Sequence, residues 1–191
     1  MDGWWAASYV ALWALVLVLV VVVVALARQI GTLHLRLGPR GALEMDDEGP
    51  ALGDAPPPLE AIALDGSAVE VGGPRHPQLL LFVSPGCMVC EQVLPAVPVV
   101  ARQGRMQPIV VTDVDEHETG RAFASKRLDV ALVSGRDIVR TYEVPGTPYV
   151  VLLDEMGGVR AKGTVNNLEQ MEGLVDSARR RTVEPSHEAH A

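Results

Sequence analysis

The start of the chain contains a long apolar block that differs from everything after it. From Trp4 to Ala27 there are 24 residues, and none of them is charged. As a helix rising about 1.5 Å per residue, this block would measure about 36 Å, which exceeds the hydrocarbon core of a bilayer at about 30 Å. The pattern predicts a transmembrane helix over residues 4–27, preceded by a short flank at residues 1–3.

A cleavable signal peptide is the alternative interpretation, because Ala25-Leu26-Ala27 resembles a cleavage site. The preceding flank carries no Lys or Arg, however, and the apolar run exceeds the usual signal-peptide core of about 7–15 residues. A membrane span is therefore favoured. Arg28, Arg36 and Arg40 all follow the span, so the positive-inside rule predicts that the rest of the chain is cytoplasmic.

The remaining sequence divides into three parts. Residues 28–58, rich in Gly, Pro and acidic side chains, predict a juxtamembrane segment and linker, and residues 181–191 predict a disordered tail. Residues 59–180 alternate β-rich runs with helical patterns, which predicts an α/β domain. Predicted strands cover residues 59–64, 68–71, 78–83, 108–111, 128–133, 148–153 and 159–162. Predicted helices cover residues 87–103, 116–125, 136–142 and 166–179.

Charge narrows the classes of partner. The formal net charge is -8, whereas nucleic-acid binding depends on basic patches that neutralise phosphates. Nucleic acid is therefore excluded as a partner. The lipid bilayer, through the apolar block, is the first partner that the sequence predicts.

Cys87 and Cys90 are the only cysteines and the main candidates for chemistry. At i and i+3 they are neighbours on one helical face, close enough to form a disulfide. Such a short loop removes little entropy from the unfolded chain, so a structural role explains the bond poorly. Pro85-Gly86 opens a helix at Cys87, where free N–H groups and the helix dipole stabilise a thiolate. We therefore predict that Cys87 attacks and that Cys90 resolves the mixed disulfide.

Two other interpretations of the cysteine pair stay open. The side chains can pack in the core as small apolar groups, or they can form half of a metal site with His76 or His117. A closed zinc site needs further ligands, and both histidines lie in polar loop sequence. We predict neither a metal nor any other cofactor.

Around this pair the chain resembles the thioredoxin superfamily. Pro95 falls where that family kinks its active-site helix, and Gly146-Thr147-Pro148 resembles the family's cis-proline loop. The resemblance implies a thioredoxin fold with an N-terminal β-hairpin and a central βα insertion. It also implies that Thr147 and Pro148, together with Met88 and Val89, contact an extended substrate by strand addition.

Within the superfamily, the chain is similar to the membrane-anchored redoxin and TlpA-like branch, and most to the MauD family of methylamine-utilisation accessory proteins. The residues that carry this similarity are 27–31, 84–90, 152–155, 160–163 and 165–166. The resemblance implies a thiol–disulfide oxidoreductase that forms, reduces or isomerises disulfides of a cysteine-containing client, together with a redox partner. The implied client is methylamine dehydrogenase, whose small subunit is disulfide-rich and lies outside the cytoplasm. That location conflicts with the arginine bias.

Three residues depart from the superfamily pattern. Met88 replaces a proline, Leu81 occupies the position of a buried carboxylate, and Glu91 replaces a common lysine. These departures leave the direction of electron flow open. A tethered binding module, a metallochaperone and a cytochrome c maturation-type reductase are the alternative functions. Peroxidase activity is disfavoured, because Ser84 fits a peroxiredoxin motif but Leu80 does not.

Overall fold

The computed structural model describes residues 3–36, 48–124, 126 and 128–183. The chain forms two units, Met1–Pro39 and Arg40–Ala191. The first contains helix α1 (Gly3–Arg36), in which Gly3–Val23 is long and apolar enough to cross a membrane. A signal sequence would pass the same test of length and composition. Parts of the predicted linker (37–47) and tail (184–191) lie outside the described residues.

The second unit contains the strands and the remaining helices. The strands are β1 (Leu59–Ile62), β2 (Ala68–Val71), β3 (Gln78–Val83), β4 (Gln107–Thr112), β5 (Ala131–Ser134), β6 (Tyr149–Leu153) and β7 (Val159–Thr164). The helices are α2 (Met88–Val93), α3 (Val97–Gly104), α4 (Glu116–Phe123), α5 (Arg136–Thr141) and α6 (Leu168–Val183). A 3₁₀ turn at Leu94–Ala96 separates α2 from α3 and contains Pro95, as the kinked-helix pattern predicts.

Five strands form one sheet in the order β5-β4-β3-β6-β7. Strands β3, β4 and β5 are parallel, whereas β6 and β7 run antiparallel to their neighbours. All six residues of β3 are buried, as the apolar run over residues 79–83 predicts, and the polar Gln78 at its start is buried as well. Because side chains alternate along a strand, Leu79 and Leu81 face one core cluster, and Leu80 and Phe82 face another.

Different elements cover the two faces. The cluster around Leu81 contains residues of α2, α3, α4 and α6, while the cluster around Phe82 contains residues of α5 and of the β1–β2 hairpin. The hairpin turns at Asp65-Gly66, where Gly66 has a φ of +85°, and its end joins the sheet edge through a bond from the Leu64 N–H to the Leu132 carbonyl. The helices and the hairpin thereby enclose the sheet.

Most element bounds differ from the prediction by one or two residues, and three differences are larger or change the extent of the domain. Strand β5 begins at Ala131 rather than Leu128, because its pairing with β4 starts opposite Ile109, and the residue before Ile109 is a proline with no N–H. Helix α6 continues to Val183, past the predicted end of the domain at residue 180. Residues 48–58, predicted as linker, bond to the domain in part, since the Val159 N–H donates to the Asp54 carbonyl at 2.8 Å.

Candidate functional site

Cys87 is the residue that precedes helix α2. Its backbone is extended, with φ of -79° and ψ of 104°, and its Sγ accepts a hydrogen bond from the Cys90 N–H at 3.1 Å. The turn from β3 is closed by the Cys87 N–H, which donates to the Ser84 carbonyl at 3.3 Å. Gly86 has a φ of +76°, in the left-handed region that favours glycine. The Ser-Pro-Gly sequence therefore places the Cys87 sulfur at the first turn of the helix.

Cys87 and Cys90 form a disulfide, with their Cα atoms 5.2 Å apart. Their environments differ, because Cys90 is 1% exposed whereas Cys87 is half-buried. Cys90 packs in the apolar cluster that also contains Leu81 and Val93. An incoming sulfur atom can therefore approach Cys87 but not Cys90.

The surroundings of Cys90 contain no buried carboxylate. Leu81 is fully buried, and no Asp or Glu is buried among the residues that the structure describes. Glu91, the next residue after Cys90, has a side chain that is 57% exposed and forms an ion pair with Lys126 at 2.7 Å. The Lys126 ammonium also lies 5.4 Å from the centroid of the Phe123 ring. The carboxylate adjacent to the site is thus at the surface rather than in the core.

The predicted cis-proline loop lies beside the cysteine loop. The Thr147–Pro148 peptide bond is cis, and Pro148 is buried. The Thr147 hydroxyl donates to the Ser84 Oγ at 3.2 Å, and the Val165 N–H donates to the Pro148 carbonyl at 3.3 Å. The structure therefore joins Thr147 to the turn that carries Cys87.

The two residues between the cysteines are oriented differently. Met88 is 79% exposed, whereas Val89 is half-buried. Met88 thus presents an apolar, flexible side chain to solvent beside Cys87, a type of surface that adapts to varied partners.

Sequence reasoning missed the partners of the predicted site residues. The Ser84 hydroxyl contacts Asp113 Oδ1 at 3.2 Å as well as Thr147. Asp113 directly follows β4, whose carboxyl end lies beside that of β3. The sequence signal that could have found Asp113 is a polar residue directly after each of two parallel strands, because functional groups gather at the carboxyl ends of such strands.

The histidines considered as metal ligands do not assemble into a site. Among the described residues, no group of three or more His, Cys, Asp or Glu side chains could hold a metal ion. The geometry around the cysteines is that of a disulfide.

The sheet order, the Cys-Met-Val-Cys disulfide at a helix start and the cis-proline loop define a thioredoxin-fold protein. Solved structures agree with this class. A putative thiol:disulfide interchange protein DsbE from Chlorobium tepidum has a TM-score of 0.57 at 19% identity, with 68% of this chain and 96% of that chain covered. A putative protein disulfide isomerase from Bacteroides thetaiotaomicron has the same TM-score at 21% identity, with 70% and 91% covered.

Sequence comparison identifies the family, although no family model matches the chain. Methylamine utilization protein MauD from Methylorubrum extorquens is 35% identical, over 90% of this chain and 85% of that protein. MauD from Methylophilus methylotrophus is 37% identical, over 91% and 83%. MauD from Paracoccus denitrificans is 34% identical, over 94% and 91%. The chain therefore belongs to the MauD family.

Proposed function

We propose that this protein is a membrane-tethered thiol–disulfide oxidoreductase that acts on a cysteine-containing client. The observation that carries the proposal is the disulfide between half-buried Cys87 and buried Cys90 at the start of a helix. This asymmetry suits separate roles, because an accessible sulfur can attack the client while a shielded second thiol remains to resolve the mixed disulfide.

The exchange proceeds in two balanced steps. In the reduced protein, the Cys87 thiolate attacks a client disulfide, the client S–S bond breaks, and one client thiolate leaves. The Cys90 thiol then loses its proton to solvent and attacks the Cys87 sulfur, which re-forms the Cys87–Cys90 disulfide and releases the second client thiolate. The client gains two electrons and the protein loses two. The same steps in reverse oxidise a client dithiol.

Thr147 and Pro148 would hold the client beside Cys87. In strand addition, backbone groups of an extended peptide pair with an exposed backbone segment, while side chains contact neighbouring pockets. Met88 and Val89 supply apolar surface next to the attacking sulfur. The client would therefore present its cysteine within an extended segment flanked by apolar side chains.

The relatives are named methylamine utilization proteins, which supports a client that takes part in methylamine utilisation. We propose that the client is methylamine dehydrogenase and that the protein acts during its maturation. That client requires a domain outside the cytoplasm, anchored by the apolar segment of α1. The arginines that follow the span predict a cytoplasmic domain instead, so the orientation needs a direct test.

A trapping experiment tests the function. In Cys90→Ser, Cys87 can still attack but the mixed disulfide cannot resolve, so we expect a client to accumulate on the full-length protein in membranes. The adduct should disappear on treatment with dithiothreitol. Cys87→Ser and the double Cys87→Ser/Cys90→Ser variant are the matched controls, and neither should form it.

The binding-module alternative predicts another pattern. It requires that cells carrying Cys87→Ser mature the client normally and that Cys90→Ser traps nothing. Both results together would contradict the oxidoreductase proposal.

A topology reporter tests the location. Alkaline phosphatase fused after Val183 should be active only if the domain is extracytoplasmic, whereas a green fluorescent protein at the same position reports the cytoplasm. Fluorescence with no phosphatase activity would exclude an extracytoplasmic client.

A further inference from the structure

The Ser84 hydroxyl connects two other loops of the site. It donates to Asp113 Oδ1 and accepts from the Thr147 hydroxyl, both at 3.2 Å. Ser84 follows β3, Asp113 follows β4, and Thr147 precedes β6. Side-chain hydrogen bonds thus link three loops that are distant in sequence, at the end of the sheet where β3 and β4 finish.

The Asp113 end of this chain of bonds is itself held in place. The Asp113 carbonyl accepts a hydrogen bond from Arg136 Nε at 2.8 Å, which ties it to the start of α5. Two residues on, the Asp115 side chain caps α4 by accepting from the Glu118 N–H at 2.8 Å. The backbone of Asp113 is therefore held, while its carboxylate, which accepts from Ser84, is exposed.

The Ser84 end is shared by the cysteine loop and the docking loop. The Ser84 carbonyl accepts from the Cys87 N–H, while its hydroxyl accepts from Thr147. Thr147 leads directly into the cis bond of Pro148. Ser84 is thus hydrogen-bonded both to the Cys87 backbone and to the Thr147 side chain.

We propose that Ser84, bonded to Asp113, is a positioning residue that holds the Thr147–Pro148 loop in register with Cys87 for an extended client. The inference rests on the proposed function. A peptide must pair with the loop and meet the sulfur simultaneously, and a misplaced loop raises the cost of that alignment. A small disulfide has no peptide backbone to pair with the loop, so its reaction depends on Cys87 and not on the position of the loop.

The test compares two substrates of the reduced full-length protein in detergent micelles. One is a synthetic peptide whose single cysteine is in mixed disulfide with glutathione; the other is hydroxyethyl disulfide. In single-turnover reactions, Ser84→Ala should lower the maximal rate divided by the half-saturating concentration about three- to tenfold more for the peptide than for the small disulfide. The loss should come mostly through the half-saturating concentration, as expected when the hydrogen bond to the Thr147 loop is lost.

Four further variants separate positioning from general damage. Thr147→Val replaces the hydroxyl with a methyl group and should reproduce most of the Ser84→Ala effect, while Thr147→Ser keeps a hydroxyl and should retain peptide activity. The Ser84→Ala/Thr147→Val double variant should lose no more than Ser84→Ala alone, because the bond between the two hydroxyls is already absent in Ser84→Ala. Ser67→Ala is the matched control, since that hydroxyl also bonds a carboxylate, Asp65 Oδ1 at 2.6 Å, but in the β1–β2 turn.

The outcomes distinguish the two proposals. Wild-type protein that exchanges neither substrate contradicts the proposed function itself. If the wild-type protein exchanges both substrates and Ser84→Ala lowers the two activities equally, or lowers neither, only the positioning role is contradicted. An effect of Ser67→Ala as large as that of Ser84→Ala would also overturn it.

Discussion

The two faces of the central sheet have different chemistry. The cysteine face, which contains Leu79, Leu81 and Cys90, is aliphatic apart from Phe123, and its buried polar groups are the paired hydroxyls of Thr112 and Thr119. The tyrosine face lies behind the same strands. Its aromatic residues are Phe82, Tyr142 and Tyr149. Gln78 and Lys162 are also buried, and their positions in the strand register place them on this face.

The two faces also differ in the ionisable side chains that they bury. On the cysteine face of the described structure, no ionisable side chain other than Cys90 is buried. Cys90 is shielded in these apolar surroundings, whereas Cys87 is only half-buried at the start of α2. The fold distinguishes two chemically identical residues by burial, since both contact the same apolar cluster but only Cys90 lies inside it.

A carboxylate on the cysteine face should produce the largest effect. Leu81→Asp places an unpaired acid in the apolar cluster, and we expect the free energy of unfolding to fall by about 3–5 kcal/mol. Burial raises the pKa of the new carboxyl, so the loss should be smallest near pH 4 and grow as the pH rises. Urea denaturation at several pH values, followed by circular dichroism, measures it. Leu81→Asn, with no charge, should show no such slope.

Breaking the hydroxyl pair on the same face should cost less. Thr119→Val leaves the Thr112 hydroxyl without its partner at 2.7 Å, and stability should fall by about 1–2 kcal/mol. Thr112→Val/Thr119→Val removes both hydroxyls and should recover much of that loss. A double variant less stable than the single one would show that the hydroxyls contribute separately. Urea midpoints provide the comparison.

The tyrosine face offers a matched pair of hydroxyls. Tyr149 donates to the Glu48 carbonyl at 3.0 Å, whereas the buried Tyr142 hydroxyl has no partner among the described residues. Tyr149→Phe should therefore lower stability by about 1 kcal/mol, while Tyr142→Phe should be neutral or stabilising. Equal losses in thermal unfolding would contradict this distinction.

The same two tyrosines predict a pH dependence. Burial raises the pKa of Tyr142 to about 12, and burial and the Glu48 charge raise that of Tyr149 to about 12. Because folding favours the neutral hydroxyls, their contribution is complete below pH 10 and is lost as the pH rises towards about 12. Urea unfolding between pH 9 and 12 should show this decline, and the double Phe variant should flatten it.

The smallest effect should come from the surface pair beside Cys90. Glu91→Gln removes the ion pair with Lys126, but the Glu91 side chain is 57% exposed. We expect a change within about 0.5 kcal/mol, reduced further by salt. A loss above about 2 kcal/mol in urea titration would show that this pair has the structural role of the missing buried carboxylate.

Local patterns predicted most elements of the domain. The all-buried run of β3, the Asp65-Gly66 hairpin and the helix start at Cys87 depend on neighbouring residues, and the structure has all three. The start of β5 was predicted wrongly because pairing, rather than apolar content, decides where a strand begins. Leu128 and Val130 are apolar but pack against the core without a strand partner.

The sequence by itself determined the apolar helix, the α/β class and the pairing of the only two cysteines, because each depends on residues a few positions apart. Only the tertiary structure decided which polar groups surround that pair. Ser84 is 29 residues from Asp113 and 63 from Thr147. These side chains meet because β4 and β6 both flank β3, and strand order arises from packing the whole sheet rather than from any local pattern.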